Sequence, residues 1–304
     1  MKASIAVLLS GLLLGQTVPY ERTKTDDGSH CLRWPVGSGA RGSVTFVQST
    51  LGDPALGAGV FDAISRSAQT WQAQLQTCGD MDLVEGARSA SRFVGYHQSG
   101  QNENLVLFRT ALCSAVTPPG DGCVAAGTCG NTYDCWDHGA TVVALTTSSY
   151  IVSTGELVDA DVEMNAASAT PTLVDSPPCS PGSISTSCVA NDVQNAATHE
   201  MGHFLGLAHS PDPSSTMYAS EPLGETSKRV LDSGSKQFVC DVYPSGQPSQ
   251  DCSSSGGGGG GSSSSGGCSS AGDPAGLGPG VLVLLLALAG RRSPAGRSCS
   301  RRCR

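Results

Sequence analysis

Basic residues are scarce in this 304-residue chain, which has 18 lysines and arginines against 26 aspartates and glutamates. Six of those arginines lie between Arg291 and Arg304, so residues 18–268 keep only 11 basic groups against 25 acidic ones. A net charge near −14 there aids solubility and disfavours nucleic acid or anionic lipid as an electrostatic partner. Long apolar runs are also lacking. The two apolar stretches, Ile5–Leu14 and Ala275–Gly290, are both short of the roughly 20 residues of a permanent membrane span. Histidine is limited to six, and His30, His97 and His138 are scattered, which leaves a single stretch able to concentrate imidazoles.

Cysteine, by contrast, is in surplus. Ten of the thirteen lie between Cys31 and Cys252, an even set that permits up to five disulfides and suits an oxidising compartment outside the cytoplasm. Their connectivity does not follow from spacing, and most spacings are wrong for a zinc cluster. Export is also expected from the N-terminus, where Lys2, the apolar run and the small or polar residues after it fit a signal peptide over residues 1–17. There is no Ala-x-Ala triplet to fix the cleavage site near Thr17. Residues 245–267 are dominated by serine and glycine, including Gly256–Gly261, and read as a linker that cannot bury enough apolar surface to fold. Residues 268–304 then combine Cys268, the apolar segment and the arginine cluster. Arginines in that position would keep the C-terminus cytoplasmic and tether the exported part, residues 18–244, to a membrane.

The stretch His199-Glu200-Met201-Gly202-His203-Phe204-Leu205-Gly206-Leu207-Ala208-His209 carries the chemistry. On a helix, His199 and His203 lie one turn apart on the same face, so both imidazoles can reach one metal ion. Glu200 is about 100° further round, beside the metal, where a base for metal-bound water belongs. Gly206 can take a positive φ that ends the helix and turns the chain, returning His209 as a third ligand. Three neutral imidazoles leave one position of a tetrahedral zinc open, and water bound there has a pKa of about 7. Ser214-Ser215-Thr216-Met217-Tyr218 follows at a spacing suited to a methionine turn beneath the metal. The bland alternative, ordinary helix residues, must accommodate Gly206, His209 and Met217 all falling at these spacings.

Residues 199–218 resemble the metzincin zinc peptidases and, within them, the matrixins: Ser210 follows the third histidine, Met217 comes eight positions after His209, and Tyr218 adjoins Met217. Astacins and serralysins place a metal-binding tyrosine two residues after the methionine, where this chain has Ala219. The resemblance implies a zinc endopeptidase of α+β fold. It would have a twisted mixed sheet, an N-terminal helix, a zinc-binding helix and a small C-terminal subdomain after the methionine turn. It implies one catalytic zinc on His199, His203 and His209, with Glu200 as general base and Met217 packing below. Tyr218 would line the specificity pocket, and Val143 and Ala144 would lie on the strand forming the upper rim of the cleft, where a peptide or protein substrate adds as a further strand. A second, structural zinc at His138 is not expected, because its partner histidines are missing. Cys31 could hold a matrixin-like enzyme latent, but the propeptide motif is missing and the even cysteine set favours a disulfide.

Gly155–Asn165 is similar to the acidic DADI-type strand of bacterial matrixin-like enzymes. Asp159, Asp161 and Glu163 alternate onto one face there, either as calcium ligands or as solvent-facing charges. The tail resembles the MYXO-CTERM sorting signals of myxobacteria, which implies a sorting protease acting near Cys268 and attachment to the outer envelope; a plain C-terminal anchor is the alternative. A competing functional class is a zinc-containing surface adhesion or binding module without turnover.

Periodicity places a half-buried strand at Ser43–Val47 and an amphipathic helix from Pro54 to Leu75. Further strands are expected at Leu105–Phe108, Ala140–Leu145 and Gly155–Asn165, and the zinc helix should run from Asn191 or Asp192 to about Leu207. Arg229–Asp232 and Phe238–Pro244 resemble the terminal helix of matrixins, with Ser233-Gly234 as an interruption.

Overall fold

A computed structural model describes residues 18–39, 41–100, 102–252 and 279–287. The expected signal peptide, the linker from residue 253 and the rest of the tail lie outside the described residues. A six-stranded sheet is formed by β1 (Gly42–Gln48), β2 (Met81–Glu85), β3 (Asn104–Arg109), β4 (Val142–Ile151), β5 (Glu156–Asn165) and β6 (Pro279–Ala287) in the order β2-β1-β3-β5-β4-β6. The ladders from β2 through β1 and β3 to β5 are parallel, whereas β4 is antiparallel to β5 and β6 is antiparallel to β4. Among the described residues no helix is long and apolar enough to cross a membrane.

Helices α1 (Gly59–Cys78) and α2 (Val193–Phe204) cover one face, and α3 (Ser233–Val242) packs against α1. Val60, Ile64, Ala68, Trp71 and Leu75 form the buried stripe of α1, at the three- and four-residue intervals that put them on one side. The helix starts five residues later than Pro54. Asp53 diverts the chain into a tight turn, taking the Ala55 N–H on Oδ1 at 2.9 Å and the Gly57 N–H on its carbonyl at 2.9 Å. Such local hydrogen bonds compete with a helical turn. Ser233-Gly234 does not interrupt α3 but begins it. Asp232 caps the helix, and a side chain on Gly234 would strike the carbonyl of Val18, which passes close by.

The opposite face of the sheet is covered by the cysteine-rich excursion, pinned by Cys113–Cys135 and Cys123–Cys129. That cover buries Arg109, which pairs with Glu163 at 2.6 Å and Asp134 at 2.7 Å. The solvent-facing reading of the acidic strand is therefore corrected: Asp159, Asp161 and Glu163 are all buried. Cys78–Cys240 ties α1 to α3, and Cys31 is in a disulfide, as the even cysteine set favours, pairing with Cys252 at the end of this stretch. The residues after Pro244 pack on the domain as far as Cys252, with the Gln250 N–H on the Val242 carbonyl at 2.7 Å and Asp251 accepting the Cys31 N–H at 2.8 Å. Residues 18–252 thus contain the hydrophobic core and the five disulfides seen among the described residues.

Closing a loop of 162 residues, Cys78–Cys240 restricts the unfolded chain far more than Cys123–Cys129, which closes six. C78S/C240S is expected to lower the unfolding free energy by roughly 2–5 kcal/mol. C123S/C129S should cost less; denaturant titration of both variants measures the difference.

Candidate metal centre and catalytic site

The site is built on α2. Asp192 caps the helix by accepting the Asn195 N–H at 2.7 Å, and is itself held by the Arg229 guanidinium at 2.5 and 2.7 Å. The helix stops at Phe204, short of Leu207, because Gly206 has a φ of 104°. A Cβ there would also collide with the Leu32 carbonyl. The carbonyls orphaned at this end are satisfied by aromatic donors, Trp34 Nε1 to Phe204 O at 2.8 Å and Tyr243 Oη to Leu205 O at 2.6 Å.

The turn at Gly206 returns His209 to the helix. His203 Nε2 lies 3.1 Å from Nε2 of both His199 and His209. His199 Nδ1 lies 2.7 Å from the Thr216 carbonyl and His203 Nδ1 2.8 Å from the Leu207 carbonyl. A carbonyl only accepts, so each Nδ1 carries the proton and each Nε2 turns a lone pair inward. Burial, followed by the charges of neighbouring histidines, lowers the pKa to about 3 for His203 and takes His199 well below its ordinary range. Burial followed by Lys228 lowers His209 to about 4. Neutral imidazoles whose lone pairs converge have no hydrogen to share between them. They fit a divalent cation that prefers nitrogen, with the Nδ1 hydrogen bonds fixing the ring orientations. A second convergence, Cys31, Asp251 and Cys252, offers no thiolate because both cysteines are in the disulfide.

Below the histidines, Met217 is buried against Gly202, where any Cβ would collide with its Sδ. The turn is closed by the Ser210 N–H on the Met217 carbonyl at 2.9 Å. Asp232 fastens the turn to α3: it accepts the Thr216 N–H at 2.8 Å, the Gly234 N–H at 2.7 Å and the Ser235 hydroxyl at 2.6 Å. Burial works to raise its pKa, but these hydrogen bonds hold it below the usual carboxylate range.

Glu200 is fully buried. Thr146, on β4, reaches its Oε2 at 2.5 Å, while Oε1 has no partner among the described groups. Burial pushes the carboxyl up to about 8, with Thr146 opposing the rise and Glu221 adding to it. Glu221 is likewise buried, without a partner on either oxygen, and its pKa is raised to about 8, chiefly by burial.

The structure brings His199, His203, His209, Glu200 and Met217 together. It places Tyr218 half-buried directly after the turn. Val143 and Ala144 are buried in the core, Val143 lining a cavity of about 10 Å³ with Val193 and Ala196. The outer edge of β4 at this point is paired with residues 279–287. In the acidic strand, Asp161 accepts N–H groups from Gly95 and Leu105, and Glu163 is committed to Arg109, with His138 3.4 Å away. Among the described residues these carboxylates do not converge with a third metal-ligating side chain. Thr146, Trp34 and Tyr243 carry no local signal in the sequence, since these partners are between 38 and 170 residues away, and the bond from Asp232 to the methionine turn spans 16.

Residues 130–243 match the Matrixin family model. The matched stretch contains the three histidines, Glu200 and the Met217 turn, and supports a zinc metalloendopeptidase kind of function with a catalytic zinc and a protein or peptide substrate. It also agrees with the mixed α+β architecture. No curated protein matches the chain.

Within the matched stretch, Asp232 links stability to pH. Its pKa is depressed on folding, so its contribution is complete above the unfolded value near 3.9 and is lost as pH falls through the lower folded value. D232A is expected to cost about 1–2 kcal/mol at neutral pH. Denaturant titrations should show the two proteins converging as the pH is taken below about 4.

Proposed function

We propose that this chain is a secreted, envelope-attached zinc endopeptidase in which His199, His203 and His209 hold one zinc ion and Glu200 is the general base. The observation that carries this reading is the convergence of three histidine Nε2 atoms, two of them with the Nδ1 hydrogen committed to a carbonyl, beside a buried glutamate on the helix that bears His199 and His203. Zinc held there supplies a Lewis acid that lowers the pKa of a water and polarises the scissile carbonyl. Glu200 takes a proton from the attacking water on Oε1, and the water oxygen bonds to the carbonyl carbon. As the C–N bond breaks, the same oxygen returns the proton to the leaving amine. Met217 contributes packing alone.

The peptide main chain adds along the outer edge of β4, past Val143 and Ala144, with Tyr218 lining the pocket beyond the metal. The chain's own residues 279–287 pair antiparallel with that edge between Val142 and Ile151, which supports its ability to take a strand. Processing near Cys268 by a sorting protease frees the edge and leaves the enzyme on the envelope. Five disulfides favour the oxidising compartment that this localisation requires.

E200A in residues 18–252 is expected to keep its zinc while losing about 10²–10⁴-fold in chelator-sensitive peptide hydrolysis. Metal analysis and a peptide-library assay read the two quantities separately. Equal activity in both proteins overturns the role of Glu200, and zinc without any hydrolysis in the parent protein favours the binding module.

A further inference from the structure

Glu200 has one oxygen engaged and one free, and the engaged one is held by a strand distant in sequence. Thr146 lies at the middle of β4, fully buried. Its Oγ1 is 2.5 Å from Glu200 Oε2 and 3.2 Å from the Glu200 carbonyl. A hydroxyl has one proton to donate, and the contact to Oε2 is the shorter of the two. A glutamate carboxylate otherwise turns readily about its last torsion, which is broad and roughly two-fold. Fixing Oε2 fixes the plane of the group and therefore the direction in which Oε1 points.

We infer that Thr146 is a positioning residue for the general base: its hydroxyl holds Oε2 so that Oε1 alone is presented to the reacting water. This rests on the catalytic role proposed for Glu200, and adds that the strand receiving the peptide also orients the base. The reach from β4 to α2 then sets the register between the scissile bond and Oε1. Misplacing a reacting group by about 1 Å can cost on the order of 100-fold in rate.

T146V keeps the branched shape and the strand preference while removing the donor; T146S keeps the donor and removes a methyl. In residues 18–252 and in the full chain, T146V is expected to lower kcat by about 10–100-fold, the equivalent of one charge-assisted hydrogen bond, with KM within about twofold and zinc content unchanged. T146S should restore most of kcat. Unchanged kcat in T146V, a loss confined to KM, or T146S no better than T146V overturns the inference.

A measurement on zinc-free protein is independent of catalysis. The shift in unfolding midpoint caused by T146V should be present with Glu200 and absent in the E200A background. Equal shifts in the two backgrounds overturn the pairing, whereas failure of the peptidase assay with this coupling intact counts against the proposed reaction and not against the pairing.

Discussion

Three imidazole lone pairs facing one another in a buried space are the constraint on which the rest of the structure depends. Without a shared cation they repel, and burial denies them the protons that would relieve the crowding. The fold resolves this from outside the cluster. Main-chain carbonyls of Thr216 and Leu207 orient the rings, so the turn after α2 and the methionine turn must each be held in place.

That requirement explains why distant parts of the chain meet at α2. Trp71 from α1 donates to Thr198 O, Trp34 and Tyr243 satisfy the last carbonyls, and Asp232 bolts the methionine turn to α3. Gly202 and Gly206 are needed at the two places where Met217 and the Leu32 carbonyl come closest to the helix. The disulfides do similar work at larger scale, fixing α1 to α3 and the segment around Cys31 to the end of the domain. The site is thus preorganised by contacts of very long sequence separation, at the cost of a slow, non-local topology.

The metal site was legible because its information is local. His199, Glu200 and His203 are readable from helical spacing, Gly206 from its conformational freedom and Met217 from its distance to His209. Four strands of the sheet and α2 were likewise marked by periodicity and by the Asp192 cap, whereas β2 and β6 were not. What could not be read depends on tertiary partners. The acidic strand looks solvent-facing until the cysteine-rich excursion is folded over it and Arg109 is buried against Glu163. Pro54 suits a helix start until Asp53 captures the following N–H groups, and Ser233-Gly234 looks like a break until Val18 is seen to cross it. Thr146 is the first of four consecutive hydroxyl residues in its strand, and nothing adjacent to it names Glu200 as its partner.

X-ray absorption at the zinc edge on metal-loaded residues 18–252 tests the central claim most directly. The account predicts one zinc per chain with three imidazole nitrogens at about 2.0–2.1 Å and one light oxygen donor. Sulfur in the first coordination sphere, fewer than three imidazoles, or zinc still bound when His199, His203 and His209 are all replaced would contradict it.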